Sequence, residues 1–147
     1  EHLLLIAGED TPTETELADK KGWYLQMRPE EQVVTSAITV FGTVTFSTHE
    51  PVPPQAGQCS PNLGRAEVYN ISYKNAAPTG DRLLRSEMIP GGGLPPSPVA
   101  GMVKLDDGTV VPFIIGGDAS SPLAGREPSS VALGSVPKGR VYWNIEE

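Results

Sequence analysis

One alternating stretch, residues 38–47, constrains the fold more than any other part of the sequence. It reads ITVFGTVTFS, so that β-branched or aromatic residues alternate with polar ones on both sides of Phe41-Gly42. Apolar residues at every second position are typical of a strand with one buried face. Two such runs around a two-residue turn predict a β-hairpin, although Asn-Gly is the more usual turn sequence.

Similar patterns recur along the chain. Arg65–Tyr73 is predicted to be a third strand, which makes residues 32–73 a three-strand meander with a long second connection. Two further apolar runs flank Asp106-Asp107-Gly108, a good hairpin turn, and Gly-Thr-Val occurs at both 42–44 and 108–110. Val141–Ile145 is a candidate closing strand. A repeated small antiparallel sheet is typical of β-propeller blades.

The predicted class is therefore all-β, with antiparallel meanders that form about two to three blades of a modified β-propeller. Residues 1–31 are expected to hold N-terminal strands and a short helix, residues 32–90 a first blade-like unit, and residues 91–147 a second. A closed propeller needs at least about four blades. We therefore expect an incomplete propeller, completed by an upstream segment or by another chain.

The N-terminal part contains two predicted strands, Glu1–Ala7 and Gly22–Met27. A short helix is predicted between them, with Thr13 as the N-cap and Lys20-Lys21 at its end. A short strand is predicted at Leu83-Leu84. Four Gly- and Pro-rich segments are predicted to be loops, links or turns: Pro51–Gly64, Asn75–Asp81, Gly91–Pro98 and Gly116–Pro137.

Charge and composition exclude several classes of function. The net charge of −7 and a pI of about 4.8 argue against a nucleic-acid partner, which needs a basic surface. No apolar run approaches the roughly 18 residues of a membrane-spanning helix. The single cysteine, Cys59, excludes a disulfide within the chain and leaves pairing with a cysteine elsewhere open.

No motif predicts a catalytic, cofactor-binding or metal-binding residue. The glycine run at 91–93 precedes three prolines within 95–98, so no helix can follow it to bind a phosphate. His49, Glu50 and Cys59 lack the spacing of a zinc site or an evident catalytic arrangement. Asp106 and Asp107 lack the spacing of a calcium loop. We interpret Asp118–Ser121 as loop, and Asn70, although in an N-glycosylation pattern, lies in a predicted strand.

Four aromatic residues, Trp23, Tyr24, Tyr142 and Trp143, are predicted to fill space between blades rather than to form a carbohydrate or partner surface.

Several segments, taken in order, resemble the C-terminal region of the PilY1/PilC family, the tip-associated adhesins of bacterial type IV pili. The most specific are Cys59–Gly64 (CSPNLG) and Gly91–Val99 (GGGLPPSPV). The others are Gly22–Leu25, Val33–Ser36, Gly42–Phe46 and Arg140–Trp143, so the resemblance covers most of the chain.

This resemblance implies a modified β-propeller at the bacterial cell surface, at the pilus tip or associated with the outer membrane. It implies a non-enzymatic role in pilus biogenesis and adhesion, with minor pilins, the tip complex or a host surface as partners. Full-length relatives bind calcium through an aspartate-rich loop, which has no counterpart in this sequence, so no cofactor is expected. Some relatives have further cysteines near the position of Phe113–Gly117, where this chain has none, so the resemblance does not imply a disulfide role for Cys59.

Two alternatives remain at this stage. The chain could be part of a quinoprotein-type propeller dehydrogenase, which would need a quinone and a metal site. It could also be a stand-alone all-β interaction domain, which predicts that it folds alone as a monomer.

Overall fold

The computed structural model describes residues 2–54, 56–57, 62–80, 82–119 and 125–126. These residues form strands and one five-residue helix, which confirms the all-β class. The elements are β1 (Leu4–Ile6), α1 (Glu14–Ala18), β2 (Trp23–Leu25), β3 (Gln32–Val33), β4 (Ile38–Val40), β5 (Thr43–Glu50), β6 (Arg65–Ser72), β7 (Ser86–Met88), β8 (Val99–Lys104), β9 (Val110–Ile115) and β10 (Gly125–Arg126).

The predicted hairpin is present as β4 and β5. Its turn residues Phe41 and Gly42 both have positive φ angles, 48° and 84°. Positive φ at both central positions is the geometry that matches the twist of a two-residue hairpin. Phe41 therefore occupies a conformation that asparagine or glycine adopts more easily, and phenylalanine is an unusual residue at this position of the turn.

The long antiparallel pair β5–β6 is the centre of the fold. Its register runs from Thr43 opposite Ser72 to Glu50 opposite Arg65. β3 and β4 pair one after the other with the outer edge of β5, and β7 pairs with the outer edge of β6. Both faces of β5–β6 are covered, which explains why consecutive residues of these strands are buried.

The first face carries most of the apolar core. Phe46 and Tyr69 lie opposite each other and stack with ring centroids 4.9 Å apart and planes 6° from parallel. The remaining buried members of this cluster are Ile6, Ile71 and Ala76, with Trp23, Leu25, Met27 and Val44 packed against them. Trp23 thus packs against the core of this sheet, whereas Tyr24 is exposed.

The second face is covered by the chain after β9. Ala66 and Val68 of β6 form a small core with Ile89 and Ala119. Asn70 lies on the same face, accepts a hydrogen bond from the Thr45 hydroxyl at 2.9 Å and donates one to the Gly117 carbonyl at 2.9 Å. This buried amide fixes the chain after β9 to the central pair.

The N-terminal unit, residues 2–31, holds the predicted strands and short helix but departs from the antiparallel pairing predicted for the chain. β1 and β2 are parallel, with Leu4 opposite Trp23. The short helix is confirmed with its predicted N-cap, because the Thr13 hydroxyl accepts from the Glu16 amide and the Glu16 carboxylate bonds back to Thr13. A helix between the two strands allows the chain to return and run parallel, which a tight turn cannot do.

The strands after β6 depart from prediction in two places. Leu83 and Leu84 are exposed and form no strand. The buried residue of this segment is Arg85, and β7 begins after it, at Ser86. Within the predicted loop Gly116–Pro137, β10 pairs with Ile114 and Ile115 of β9. That segment is therefore not loop throughout.

The second hairpin, β8–β9, is confirmed. The amide of Gly108 donates to the Leu105 carbonyl at 2.9 Å, which closes the turn. Gly42 and Gly108 thus occupy hairpin turns with φ angles of 84° and 88°. Among the described residues no sheet closes on itself. Val141–Ile145, Tyr142 and Trp143 lie outside the described residues.

Candidate interaction surface

The segment between β5 and β6 leaves the sheet where Glu50 faces Arg65. Asn62 ties the two ends of this segment together, since its side-chain amide donates to the carbonyls of Val52 at 3.0 Å and Pro53 at 3.3 Å. Its side-chain oxygen accepts from the Gly64 amide at 3.1 Å. The described part of Pro51–Gly64 is thus an ordered surface loop, as predicted.

The glycine run packs directly on the end of this loop. The Gly93 amide donates to the Leu63 carbonyl at 3.0 Å. A Cβ atom built on Gly92 would lie 2.1 Å from the Gly64 carbonyl oxygen, so only glycine at position 92 allows the backbones to approach this closely. We name residues 62–64 and 91–93 the glycine corner.

His49 anchors the glycine corner to β5. Its Nε2 lies 2.8 Å from the Leu63 carbonyl, so this nitrogen carries the proton and donates. The same carbonyl therefore accepts from both His49 and Gly93, which joins the strand, the loop and the glycine run at one atom.

A groove of about 560 Å³ opens beside the glycine corner, lined by Gly64, Arg65, Met88, Ile89, Pro90, Gly91 and Gly92. Three apolar side chains from the surrounding segments, Leu63, Met88 and Leu94, are more than half exposed. The groove and these side chains give this end of the sheet an accessible apolar surface.

A cluster of charged side chains lies on the first face of the sheet, next to the same end. Arg28 reaches three carboxylates: Glu31 at 3.3 Å, Glu50 at 3.3 Å and Glu67 at 3.1 Å. Arg65 binds Glu67 from the other side at 2.7 Å. The side chains of Glu31 and Glu67 are 0% and 4% exposed, so these are buried charges that need the guanidinium groups.

Burial and hydrogen bonds within this cluster shift the pKa values of Glu67 and Tyr69. Burial alone would raise the pKa of Glu67, but the Ser86 hydroxyl and the Arg28 guanidinium bind the charged form and lower the pKa below its usual range. Burial, and then the hydrogen bond that its hydroxyl donates to Glu31 at 2.9 Å, raise the pKa of Tyr69. The shifts favour the ionised carboxylate of Glu67 and the neutral phenol of Tyr69.

Arg85 is a second buried cation, of which only 1% is exposed. Its guanidinium donates to three backbone carbonyls, those of Ala76 at 2.6 Å, Asp10 at 2.5 Å and Gly8. Arg85 thus joins the residues after β1 to the turn after β6.

Among the residues that the structure describes, the side chains singled out as candidate sites in the sequence do not come together as a catalytic group. His49 and Glu50 are neighbours in β5 and point to opposite faces, and Cys59 lies outside the described residues. Asp107 accepts from the Thr109 amide at 2.8 Å, and this hydrogen bond lowers its pKa, as expected for a turn residue. The side chain of Asn70 is buried and bonded within the fold.

The described residues contain no group of three or more His, Cys, Asp or Glu side chains placed to hold a metal ion. They also contain no helix long and apolar enough to cross a membrane.

No protein-family model, curated protein or solved structure matches the chain.

Sequence reasoning missed both arginine sites. A signal existed for one of them, because Glu67 alternates with Tyr69 and Ile71 and must lie on their buried face. A carboxylate at such a position needs a partner. Nothing comparable marks Arg85, whose acceptors are backbone carbonyls that carry no sequence signal.

Proposed function

We propose that this chain is a non-enzymatic module of a type IV pilus tip protein that binds a minor pilin through the glycine corner and its groove. In this proposal the β3–β7 and β8–β10 sheets are blades of a modified propeller at the bacterial cell surface. The module acts in pilus biogenesis and adhesion by holding its loops in a fixed shape.

One observation carries the proposal. Cys59–Gly64 and Gly91–Val99, the two most specific segments of the family resemblance, are separated in the sequence, yet Gly64 and Gly92 are in backbone contact. Two recognisable segments that meet at one surface, beside exposed apolar side chains, support a shared role in binding. A role in folding alone would not require Leu63 and Leu94 to be exposed.

The first experiment replaces Leu94 with aspartate and measures binding of purified minor pilins by biolayer interferometry. Leu94→Asp is expected to weaken binding at least about tenfold, since burying an unpaired carboxylate costs more than about 1.4 kcal/mol. Leu83→Asp is the matched control, because Leu83 is also exposed but belongs to the connection at the opposite end of β6.

A second variant replaces residues 51–64 with Asn-Gly. Glu50 and Arg65 are paired neighbours, so a two-residue turn can join them. We expect a folded protein that no longer binds pilins. Equal pilin binding by both variants and the parent chain would overturn the proposal.

A stand-alone interaction domain is the second candidate, and the burial of both faces of β5–β6 favours it. Val68 is fully buried by groups of this chain alone. Native mass spectrometry and thermal unfolding of the isolated chain separate the two. A monomer of 15.6 kDa with one sharp transition supports the stand-alone domain, whereas association with propeller segments supports the blade arrangement.

A further inference from the structure

Two arginines attach the N-terminal unit to the central sheet, and their acceptors differ in chemistry. Arg85, on the sheet side, donates to the backbone carbonyls of Gly8 and Asp10, and the exposed Glu9 carboxylate lies farther away, at 3.9 Å. Arg28, on the N-terminal side, binds carboxylates of β5 and β6. Carbonyl acceptors do not titrate, whereas carboxylates gain a proton in acid.

The contact between Arg28 and Glu67 is bidentate. Arg28 Nη1 lies 3.2 Å from Glu67 Oε2, and Arg28 Nη2 lies 3.1 Å from Oε1. The Ser86 hydroxyl donates to Oε2 at 2.7 Å, and Arg65 Nη2 lies 2.7 Å from Oε1. A proton on either oxygen would displace a donor and remove the negative charge that both guanidinium groups require.

The charged groups around Arg28 make its contacts sensitive to the protonation of Glu67. The groups that face Arg28 are Glu31 from its own connection, Glu50 from β5, and Arg65, Glu67 and Tyr69 from β6. Glu67 is the carboxylate that the two guanidinium groups share, so its neutralisation leaves Arg28 with Glu31 and Glu50 and removes the carboxylate that Arg65 binds. Glu9 and Arg85 line the adjacent cleft together with Arg28.

A cleft of about 310 Å³ lies between the N-terminal unit and the sheet. Leu25, Met27 and Tyr69 line it, with Arg28 and Arg85. Fewer atoms pack across the interface there than in a filled core, so the contacts of the two arginines contribute more to closure.

We propose that Arg28 and Glu67 form an acid-sensitive latch, which releases residues 26–30 from the central sheet when Glu67 is protonated, while Arg85 retains residues 8–10 and the hydroxyl groups of Thr48 and Tyr69 retain the Glu31 side chain. Opening would expose the apolar side chains that line the cleft.

The direction follows from the contacts of Glu67. Its pKa is lowered when the latch is closed, so the latch has its full strength above the ordinary glutamate pKa of about 4.3. The latch weakens as the pH falls from that ordinary value through the pKa that Glu67 has in the closed form. Over that interval, the ratio of open to closed molecules rises about tenfold per pH unit.

Backbone amide exchange measured by NMR from pH 7 to pH 3, corrected for intrinsic rates, tests the latch. The Glu31 amide donates to the Arg28 carbonyl at 3.2 Å and reports on the released segment. We expect it to lose protection below about pH 4.3, at a higher pH than the amides of β5 and β6. Simultaneous loss at all these amides would show global unfolding and overturn the latch.

Variants of Ser86 and Glu67 separate a latch from a purely structural contact. Ser86→Ala removes a donor to the charged form, so exchange at Glu31 should be faster at pH 7 and should rise less on acidification. Glu67→Gln should reduce the acid response further, and the Ser86 variant decides the matter if the Glu67 variant does not fold. Glu87→Gln is the control, because Glu87 lies on the same strand and binds Arg82. An acid response of unchanged size in Ser86→Ala would refute the proposal.

Discussion

Gly92 lies against the carbonyl of Gly64 at a distance that leaves no room for a side chain: an added Cβ would be 2.1 Å from the oxygen. Neighbouring Gly91 has a similar positive φ, 86° against 65°, but an added Cβ there would meet nothing within 4 Å. The pair therefore separates the effect of crowding from the effect of backbone conformation.

We predict that Gly92→Ala lowers the free energy of unfolding about 1–3 kcal/mol more than Gly91→Ala does, as overpacking of a tight contact typically costs. Urea denaturation of both variants measures the difference. Equal losses would mean that the corner relaxes freely and that positive φ alone accounts for both glycines.

Arg85 is expected to be among the most sensitive positions. Arg85→Met leaves three carbonyls without their charged donor, and each such hydrogen bond contributes about 1.5–3 kcal/mol, so we expect a loss of at least about 3 kcal/mol. Thermal or urea unfolding measures it. Arg65→Met is the comparison, because Arg65 is partly exposed and binds one carboxylate. A loss for Arg85→Met no larger than for Arg65→Met would contradict this role.

Asn70 provides a test of how the chain after β9 is held on the second face of the central sheet. Asn70→Asp replaces the amide donor with an oxygen 2.9 Å from the Gly117 carbonyl, and we expect a loss of about 2–4 kcal/mol from a buried, repelled charge. Asn75→Asp is the matched control, since Asn75 uses its oxygen to accept from the Ala77 amide, and aspartate can do the same. Chemical denaturation at pH 7 should separate the two variants clearly.

The raised pKa of Tyr69 predicts a loss of stability in alkali. The stabilising effect of the neutral phenol is complete below the ordinary tyrosine pKa of about 10. It is lost as the pH rises from there through the pKa of the folded state, because the unfolded chain ionises first. Urea midpoints between pH 8 and pH 11 should fall in the parent chain and fall less in Tyr69→Phe. Tyr24→Phe, at an exposed position, should behave like the parent chain.

Local patterns predicted much of the fold. The β4–β5 and β8–β9 hairpins and the Thr13 cap depend on residues within a few positions of each other, so their signals are short and complete. The parallel pairing of β1 with β2 depends on distant partners, and the sequence of either strand is compatible with both directions. The prediction of a strand at Leu83-Leu84 is wrong because hydrophobicity alone does not show that Arg85 is the buried residue of this segment.

The sequence predicts the separate segments of the candidate surface but not the contact between them. The loop ending at Gly64 and the glycine run at 91–93 are recognisable from composition, but a contact between two backbones leaves no side-chain pattern. The charged cluster left one signal, Glu67 on a buried face, and the identity of its partner Arg28 required the fold.

The reach of Arg85 also bears on when the protein can fold during synthesis. Its guanidinium binds the carbonyl of Gly8, 77 residues earlier. At a translation rate of about 5–20 residues per second, Gly8 is made roughly 4–15 s before Arg85. The residues that cover the apolar side of the β1–β2 pair, Phe46, Tyr69, Ile71 and Ala76, all precede Arg85 in the sequence. The N-terminal strands can therefore pack on the central pair first, and the arginine contact is added to an arrangement that has already formed.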